Sequence, residues 1–366
     1  MLTSPSRRPV ANRPVMLSPP RLFPDDIDVA VVSHNGRSTL PRVLDDLART
    51  GAPPDRIVIY DVASTDATAT WLAEAWPGVR RVRLETNAGP NPARNRALAE
   101  AQRPRLLLVD SDAYLQPDVP CRLREALEDH ADAGAAVPVV VHADRPGTIQ
   151  YAGGRLHFIC EAINPWVDRP LAERGVAPDA IGTAPGVCFL LDVASARAVG
   201  GFDPAYFMGK EDGEFCYRLR VAGFRLIEAP RAIAHHGSRP RSAWLFSFQI
   251  RNRWHFILKN YDTRTLLLLA PALVLHEGVQ FAMLAARGQV RAWWTAVREI
   301  GPMCRTLRAD RRRVAASRRT ADGEILDAAP LLVRADLVGG RLGTLAKSAY
   351  DRWLDAYWRL VGRWLR

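Results

Sequence analysis

Short apolar runs recur along the first two thirds of the chain. Each ends in a polar or acidic cluster and is followed by a stretch with helical spacing. Residues 28–33, 56–60, 79–84 and 106–109 read as strands, the last rich enough in Leu and Val to be buried on both faces. Between them, Ser38 or Thr39 opens a helix to about Arg49, a second runs through Trp71 to Trp76, and a third covers 93–101. A helix at 117–127 and a strand at 135–141 repeat the alternation. This spacing predicts an α/β fold, a mostly parallel sheet with flanking helices. From 142 to 183 the pattern weakens, with a hairpin expected around 151–159. It resumes with a strand at 186–192, a helix at 193–199, a helix opening near Phe207 and running to Val221, a strand at 224–229 and an apolar stretch to His236.

The last third reads differently. Residues 244–259 are aromatic and basic. The apolar run 266–275 contains Pro271 and is only about ten residues long, half of what a membrane span needs. With 280–284 it reads as interfacial. A final helix over about 345–365 places Tyr350, Leu354, Tyr357, Val361 and Trp364 on one face, flanked by Lys347, Arg352, Arg359 and Arg363. That pattern suits a membrane-surface helix, a helix packed on its own domain, or a homodimer contact.

Charge sharpens the division. The net charge is +11, of which residues 1–286 carry about +2 and the last eighty about +9. A near-neutral body thus precedes a basic tail suited to an anionic membrane surface. No nucleic-acid-binding module is recognisable, so nucleic acid is not expected as a partner. The five cysteines are widely spaced without a Cys-x-x-Cys pair, which argues against a disulfide framework or a zinc cluster and for a reducing, cytoplasmic compartment. The expected organisation is a Pro- and Arg-bearing disordered extension over 1–26, with no signal peptide, a catalytic α/β domain over 27–262, and a basic helical region over 263–366.

The candidate chemistry lies where the strands end. Asp110-Ser111-Asp112 sets two carboxylates one residue apart at the end of a buried strand. They read either as an acidic turn or as hard-oxygen ligands for Mg²⁺ or Mn²⁺. Asp61-Val62-Ala63-Ser64-Thr65-Asp66 follows the second strand. One of Ser64, Thr65 and Asp66 caps a helix, and Asp61 is the carboxylate that a cap does not explain. After the third strand comes Asn87-Ala88-Gly89, then a helix with Arg94 and Arg96 in its first turn. Cations there oppose the helix dipole, so they face either a phosphate or solvent. Glu211 and Asp212 at a helix start either complement the dipole or supply a general base. His235 and His236 are structural or contribute a metal ligand. Trp166 stacks on a sugar or base, or packs. The Gly-x-Gly-x-x-Gly turn of a dinucleotide-binding enzyme is absent after the first strand.

With these residues in hand, the chain between about 28 and 261 resembles family-2 glycosyltransferases of the GT-A fold, of the rhamnosyl- and galactofuranosyltransferase kind. The resemblance rests on Val31-Val32-Ser33-His34-Asn35, on the segment from Asp61 to Asp66, and on Asn87-Ala88-Gly89 with Arg94-Asn95. Asp110-Ser111-Asp112 and Glu211-Asp212-Gly213-Glu214 complete it, all five in order. It implies a Rossmann-like sheet and an inverting, divalent-cation-dependent transfer from a nucleoside-diphosphate sugar, dTDP-rhamnose or a UDP-sugar. The acceptor implied is a glycan or polyprenyl-linked hydroxyl at the inner membrane face. Asp212 would be the base with Glu211 beside it. Asn35, Asp61, Ser64, Asp66, Asn87, Gly89, Arg94, Asp110 and Ser111 would hold the donor, Asp61 at the nucleobase, Arg94 at the diphosphate and Asp110 at the ribose. Asp112, Asp110 and His236 would hold the metal. Trp166, Arg251 and Trp254 would face the acceptor. A soluble natural-product acceptor and a non-catalytic nucleotide-binding protein of the same fold are the other readings. A nucleotidyltransferase fits poorly, because His34-Asn35-Gly36-Arg37 is not its Gly-rich loop.

Overall fold

The computed structural model describes residues 23–237, 245–331 and 340–366. Residues 1–22 of the expected N-terminal extension, and Trp244, lie outside them. The described end of that extension is anchored. Phe23 is buried in the core, and Asp26 pairs with Arg105 and Arg124.

Six strands build the expected parallel sheet: β1 (Ile27–Ser33), β2 (Ile57–Val62), β3 (Arg80–Leu84), β4 (Arg105–Asp110), β6 (Ala133–His142) and β12 (Arg225–His236). The sheet order is β10-β12-β6-β11-β4-β1-β2-β3. Short β5 (Ala113–Leu115), β7 (Ile149–Tyr151) and β10 (Asp179–Ile181) pair antiparallel at its β12 and β6 side, and β11 (Cys188–Asp192) runs antiparallel between β4 and β6. Two expectations change here. The stretches 224–229 and 232–236 are one strand, its register shifted between Ala229 and Ile233. The hairpin expected at 151–159 is displaced: β7 joins β6, while β8 (Arg155–His157) pairs with β9 (Ala162–Ile163) and with β13 (Leu326–Asp327).

Alternation along the strands feeds two cores. Val29 and Val31 of β1 face α1 (Leu40–Arg49) and α4 (Val119–Glu128). Ala30 and Val32 share the other core with α3 (Asn91–Glu100), α5 (Val193–Ala198) and α6 (Glu211–Val221). Helix α2 (Thr68–Ala75) adds Leu72 to the first. Thr39 is the N-cap of α1, but its hydroxyl bonds back to the Gly36 carbonyl rather than capping.

A third core joins this body to the C-terminal helices. Phe158, Tyr217 and Tyr261 pack with Phe256 of α7 (Leu245–Asn260), Leu269 and Leu273 of α8 (Thr263–Ala285), and Leu354 and Val361 of α12 (Gly340–Val361). Helices α9 (Val290–Met303), α10 (Leu307–Ser317) and the short α11 (Asp322–Ile325) complete the region. The ten-residue apolar run expected at 266–275 is corrected: α8 is a single 23-residue helix that continues through Pro271. Pro271 lies on its exposed side. By length and composition alone, α8 is long and apolar enough to cross a membrane. On α12, Leu354 and Val361 are buried and Tyr350 and Tyr357 half-buried against this core, so most of the aromatic face read from the sequence packs on the protein itself. Trp364 and Trp353 stay exposed. None of the five cysteines forms a disulfide, and all but Cys304 are buried.

Candidate active site

The parallel strands β1, β2 and β4 end side by side, which gathers their loops at one edge, as open α/β sheets do for ligands. Asn35, in the left-handed region at φ 53°, stitches two of these loops together. Its amide N–H donates to Ser64 Oγ at 2.8 Å, and its Oδ1 accepts from the Thr65 and Asp66 amides at 2.8 and 3.3 Å. Asp66 caps α2 locally through Thr68 and also accepts from the Arg37 amide. Asp61 caps no helix, as expected, but it is engaged within its own loop and by β3. Its Oδ1 accepts from the Ser64 amide at 3.0 Å, and its Oδ2 from Arg83 at 2.6 Å. Arg83 drew no attention in the sequence, because it sits on an edge strand with Arg80 and Arg81.

The carboxylates converge on Arg94. Its side chain is buried, and it donates to Asp212 Oδ1 at 2.6 Å and to Asp110 Oδ1 at 3.1 Å. Burial opposes its charge, but the Asp212 and Asp110 carboxylates outweigh that and hold its pKa above the usual range. The arginine expected at a diphosphate is thus the bridge between two aspartates. The second oxygen of Asp212 accepts from the Gly186 amide at 2.7 Å. A side chain at Gly186 would bring its Cβ within 2.3 Å of Arg94 Nη2 and 2.5 Å of Asp212 Oδ1, so only glycine lets the backbone approach. Burial pushes Asp110 up to about 6.

Glu211 differs from its neighbour. It is buried, and its Oε2 has no hydrogen-bond partner. Burial first, and then the Asp212 charge, push it up to about 8. The folded-state pKa therefore exceeds the unfolded one, and the folded protein holds a proton that the unfolded chain releases. Stability from this group is complete below about pH 4.5 and falls as pH rises toward 8. The melting temperature should therefore drop between pH 5 and 8, and Glu211→Gln should flatten that drop. An unchanged slope in scanning fluorimetry would count against a protonated Glu211.

On the other side of Asp110, Asp112 meets His236. The antiparallel pairing of β5 with β12 sets Ala113 opposite His236 and leaves Asp112 beside it. Asp112 Oδ1 is 3.5 Å from His236 Nε2. The other ring nitrogen lies 2.8 Å from Gln150 Oε1, which fixes the ring with Nε2 toward Asp112. Among the described residues, no three His, Cys, Asp or Glu are gathered as a metal cage; of the three expected ligands, Asp112 and His236 lie side by side while Asp110 pairs with Arg94. Ser111 donates its amide to the Val32 carbonyl and holds the turn between β4 and β5.

The loop before α6 is fixed from both sides. Gly89, at φ +86°, lies so close to Phe207 that a Cβ there would meet its carbonyl oxygen at 2.2 Å. The Asn87 side chain accepts from the Gly89 amide, and Asn95 bonds both the amide and the carbonyl of Phe202 at 2.7 Å. Lys210 takes a left-handed φ of 71° and donates to the Cys160 carbonyl and Glu161. From α7, the buried Asn252 donates to the carbonyls of Met208 and Gly209 at 3.0 and 2.6 Å. Asn252 was missed in the sequence; its only sign is an amide between two arginines in an aromatic helix.

The residues expected to face the acceptor are engaged elsewhere. Trp166 lies between Arg169 and Arg174 and packs on a small cluster at β6 and β7. Arg251 pairs with Glu299 of α9 at 2.9 Å. Trp254 donates to Glu277 of α8 at 2.7 Å, and Arg253 pairs with the same carboxylate.

Residues 28–195 match the family model described as Glycosyl transferase family 2. The chain carries a family 2 glycosyltransferase domain. The glycosyltransferase is 27% identical over 234 residues to an N-acetylglucosaminyl-diphospho-decaprenol L-rhamnosyltransferase of Mycobacterium tuberculosis, covering 58% of this chain and 76% of that protein. It is 32% identical over 139 residues to the succinoglycan biosynthesis protein ExoO of Rhizobium meliloti, covering 37% of this chain and 38% of that one. Among solved structures, GalNAc-T7 with UDP, GalNAc and Mn²⁺ superposes with a TM-score of 0.52 at 19% identity. That match covers 65% of this glycosyltransferase, which spans about half of that chain, 48%. S. aureus TarS 1-349 superposes at 0.50 and 16% identity, over 92% and 91% of the two chains. These likenesses show a shared GT-A fold.

Proposed function

We propose that this glycosyltransferase moves a sugar from a nucleoside-diphosphate sugar to a hydroxyl of a lipid-linked glycan at the cytoplasmic membrane face. The observation that carries the reading is the joining of Asp110 and Asp212 by Arg94 at one edge of a family 2 sheet, with the Asp112–His236 pair beside Asp110. The named activity of the mycobacterial relative, an L-rhamnosyltransferase, supports a polyprenyl-diphosphate-linked acceptor and a rhamnosyl donor, for which we propose dTDP-rhamnose.

The acceptor oxygen attacks the anomeric carbon as the bond to the diphosphate oxygen breaks, and the acceptor proton passes to Asp212. One displacement inverts the anomeric centre. Asp212 suits the role better than Glu211, because its side chain reaches the surface while Glu211 is buried beneath it. Arg94 and the Gly186 amide fix both Asp212 oxygens, so the base is held in one orientation before substrate arrives. Asp61 with Arg83, and the loops that Asn35 joins, form the wall for the nucleoside. Asp112 and Nε2 of His236 offer an oxygen and a nitrogen donor that fit Mg²⁺ or Mn²⁺, which supplies positive charge for the departing diphosphate.

A thermal-shift titration tests the reading. One of dTDP, UDP and GDP should raise the melting temperature only with Mn²⁺ present, by the equivalent of about 2.7 kcal/mol at a hundred times its Kd. Asp112→Ala should abolish that shift. If no nucleotide shifts the protein with metal, the donor reading fails.

A further inference from the structure

One side of α8 faces outward without a polar side chain. Between Thr265 and Ala285 its exposed positions are Leu267, Ala270, Pro271, Val274, Leu275 and Gly278, followed by two alanines. Their spacing keeps them on one face. Leu267 is 73% exposed, Val274 68% and Leu275 41%. A bare apolar stripe of this length marks a contact surface.

Charge says what the surface meets. From Thr263 to Arg366, fourteen arginines are exposed among the described residues, against one exposed carboxylate, Glu324. Arg264 and Arg287 stand at the two ends of the stripe. A second copy of this chain would bring fourteen more arginines toward the same cations. With the N-cap Asp262 the one exposed carboxylate at its ends, an apolar face set in so large an excess of cations matches acyl chains below anionic headgroups.

The inner side of α8 sets its orientation. Leu269, Ala272 and Leu273 are buried in the third core, and His276 donates to or accepts from Tyr350 at 2.8 Å. Glu277 pairs with Arg253 and accepts from the indoles of Trp254 and Trp293. Crossing a bilayer would strip these partners and carry Glu277 into hydrocarbon, although 23 residues suffice in length.

We propose that α8 is a monotopic membrane anchor, lying in the plane of an anionic lipid interface with its Leu267–Leu275 face among the acyl chains. The proposal deepens the lipid-linked acceptor reading above, on which it rests for its purpose but not for its observations. Lipid contact reaches the acid pair through few bonds. Glu277 holds Arg253, and the adjacent Asn252 holds the carbonyls of Met208 and Gly209 just before Glu211. The anchor and the base therefore belong to one hydrogen-bonded frame.

The test is vesicle co-sedimentation of the full chain, using phosphatidylcholine alone and phosphatidylcholine with about a third phosphatidylglycerol. The wild type should sediment with the anionic vesicles. The triple variant Leu267→Glu/Val274→Glu/Leu275→Glu should lose about tenfold or more in partition coefficient. Its melting temperature and its nucleotide-induced shift should match the wild type, since all three side chains are exposed. Alkaline carbonate should release the wild type. No vesicle binding overturns the proposal, and so does a triple variant that binds as well as the wild type, because then arginines alone account for attraction. Retention through carbonate overturns the in-plane orientation. A wild-type dimer that the triple variant dissolves, with vesicle binding unchanged, assigns the face to a second copy instead. Nucleotide shifts are read without vesicles, so a failed donor reading and a failed anchor give separate results.

Discussion

Asp212→Asn should lower kcat by about 10²–10⁴-fold, the usual contribution of a positioned general base. The substitution is nearly isosteric. Asn can still accept from the Gly186 amide, so the loop and the start of α6 keep their place. What disappears is a group able to take the acceptor proton. KM for the donor and the metal-dependent nucleotide shift should stay close to wild type, because the nucleoside wall at Asp61 and the Asp112–His236 pair are untouched. That split separates a base from a structural residue. A kcat within tenfold of wild type would remove Asp212 from the chemistry.

Arg94→Met should cost about 3 kcal/mol of stability, as breaking a buried ion pair from one side does, and lower the melting temperature by roughly 4 °C. The volume is similar, but the variant leaves Asp110, Asp212 and the buried Glu211 in one place without their cation. The loss should shrink at pH 5, where protons relieve the repulsion. Arg94→Lys should fall between the two, since an ammonium keeps the charge but not the fork that reaches both carboxylates. Denaturant melts of the three proteins at pH 5 and pH 7 check the order. A variant as stable as wild type at pH 7 would mean that the aspartates do not need their bridge.

Where the sequence was read correctly, the cause was local. The strands that end at Ser33, Val62 and Asp110 show as apolar runs stopped by polar residues, and the five motifs fall in the order of their elements. The antiparallel placement of β11 left no local trace, since a buried strand looks alike in either direction. The same holds for the pairings of Arg94. Asp212 lies 118 residues away and Gly186 lies 92, so no periodicity could join them. The apolar run over 266–275 stops at His276-Glu277, because two polar residues interrupt it there. In α8 both lie on the inner side, held by Tyr350, Arg253, Trp254 and Trp293. The partners of Trp254 and Arg251 left no local trace for a related reason, since Glu277 and Glu299 lie in other helices.

The two sides of the cleft are held by different parts of the molecule. Asn35 ties the nucleoside loops to one another within the sheet. Asn252 ties the acid pair to the C-terminal helices, and across the gap Arg94 reaches Asp212 while Asn95 holds Phe202. The molecule is therefore modular along a line that cuts through α6 rather than between domains. A chimera that borrows a new acceptor half would have to import the 208–212 loop together with α7 and α8, and keep Arg94 as the common joint. Exchanging the helices alone would leave the base without its support.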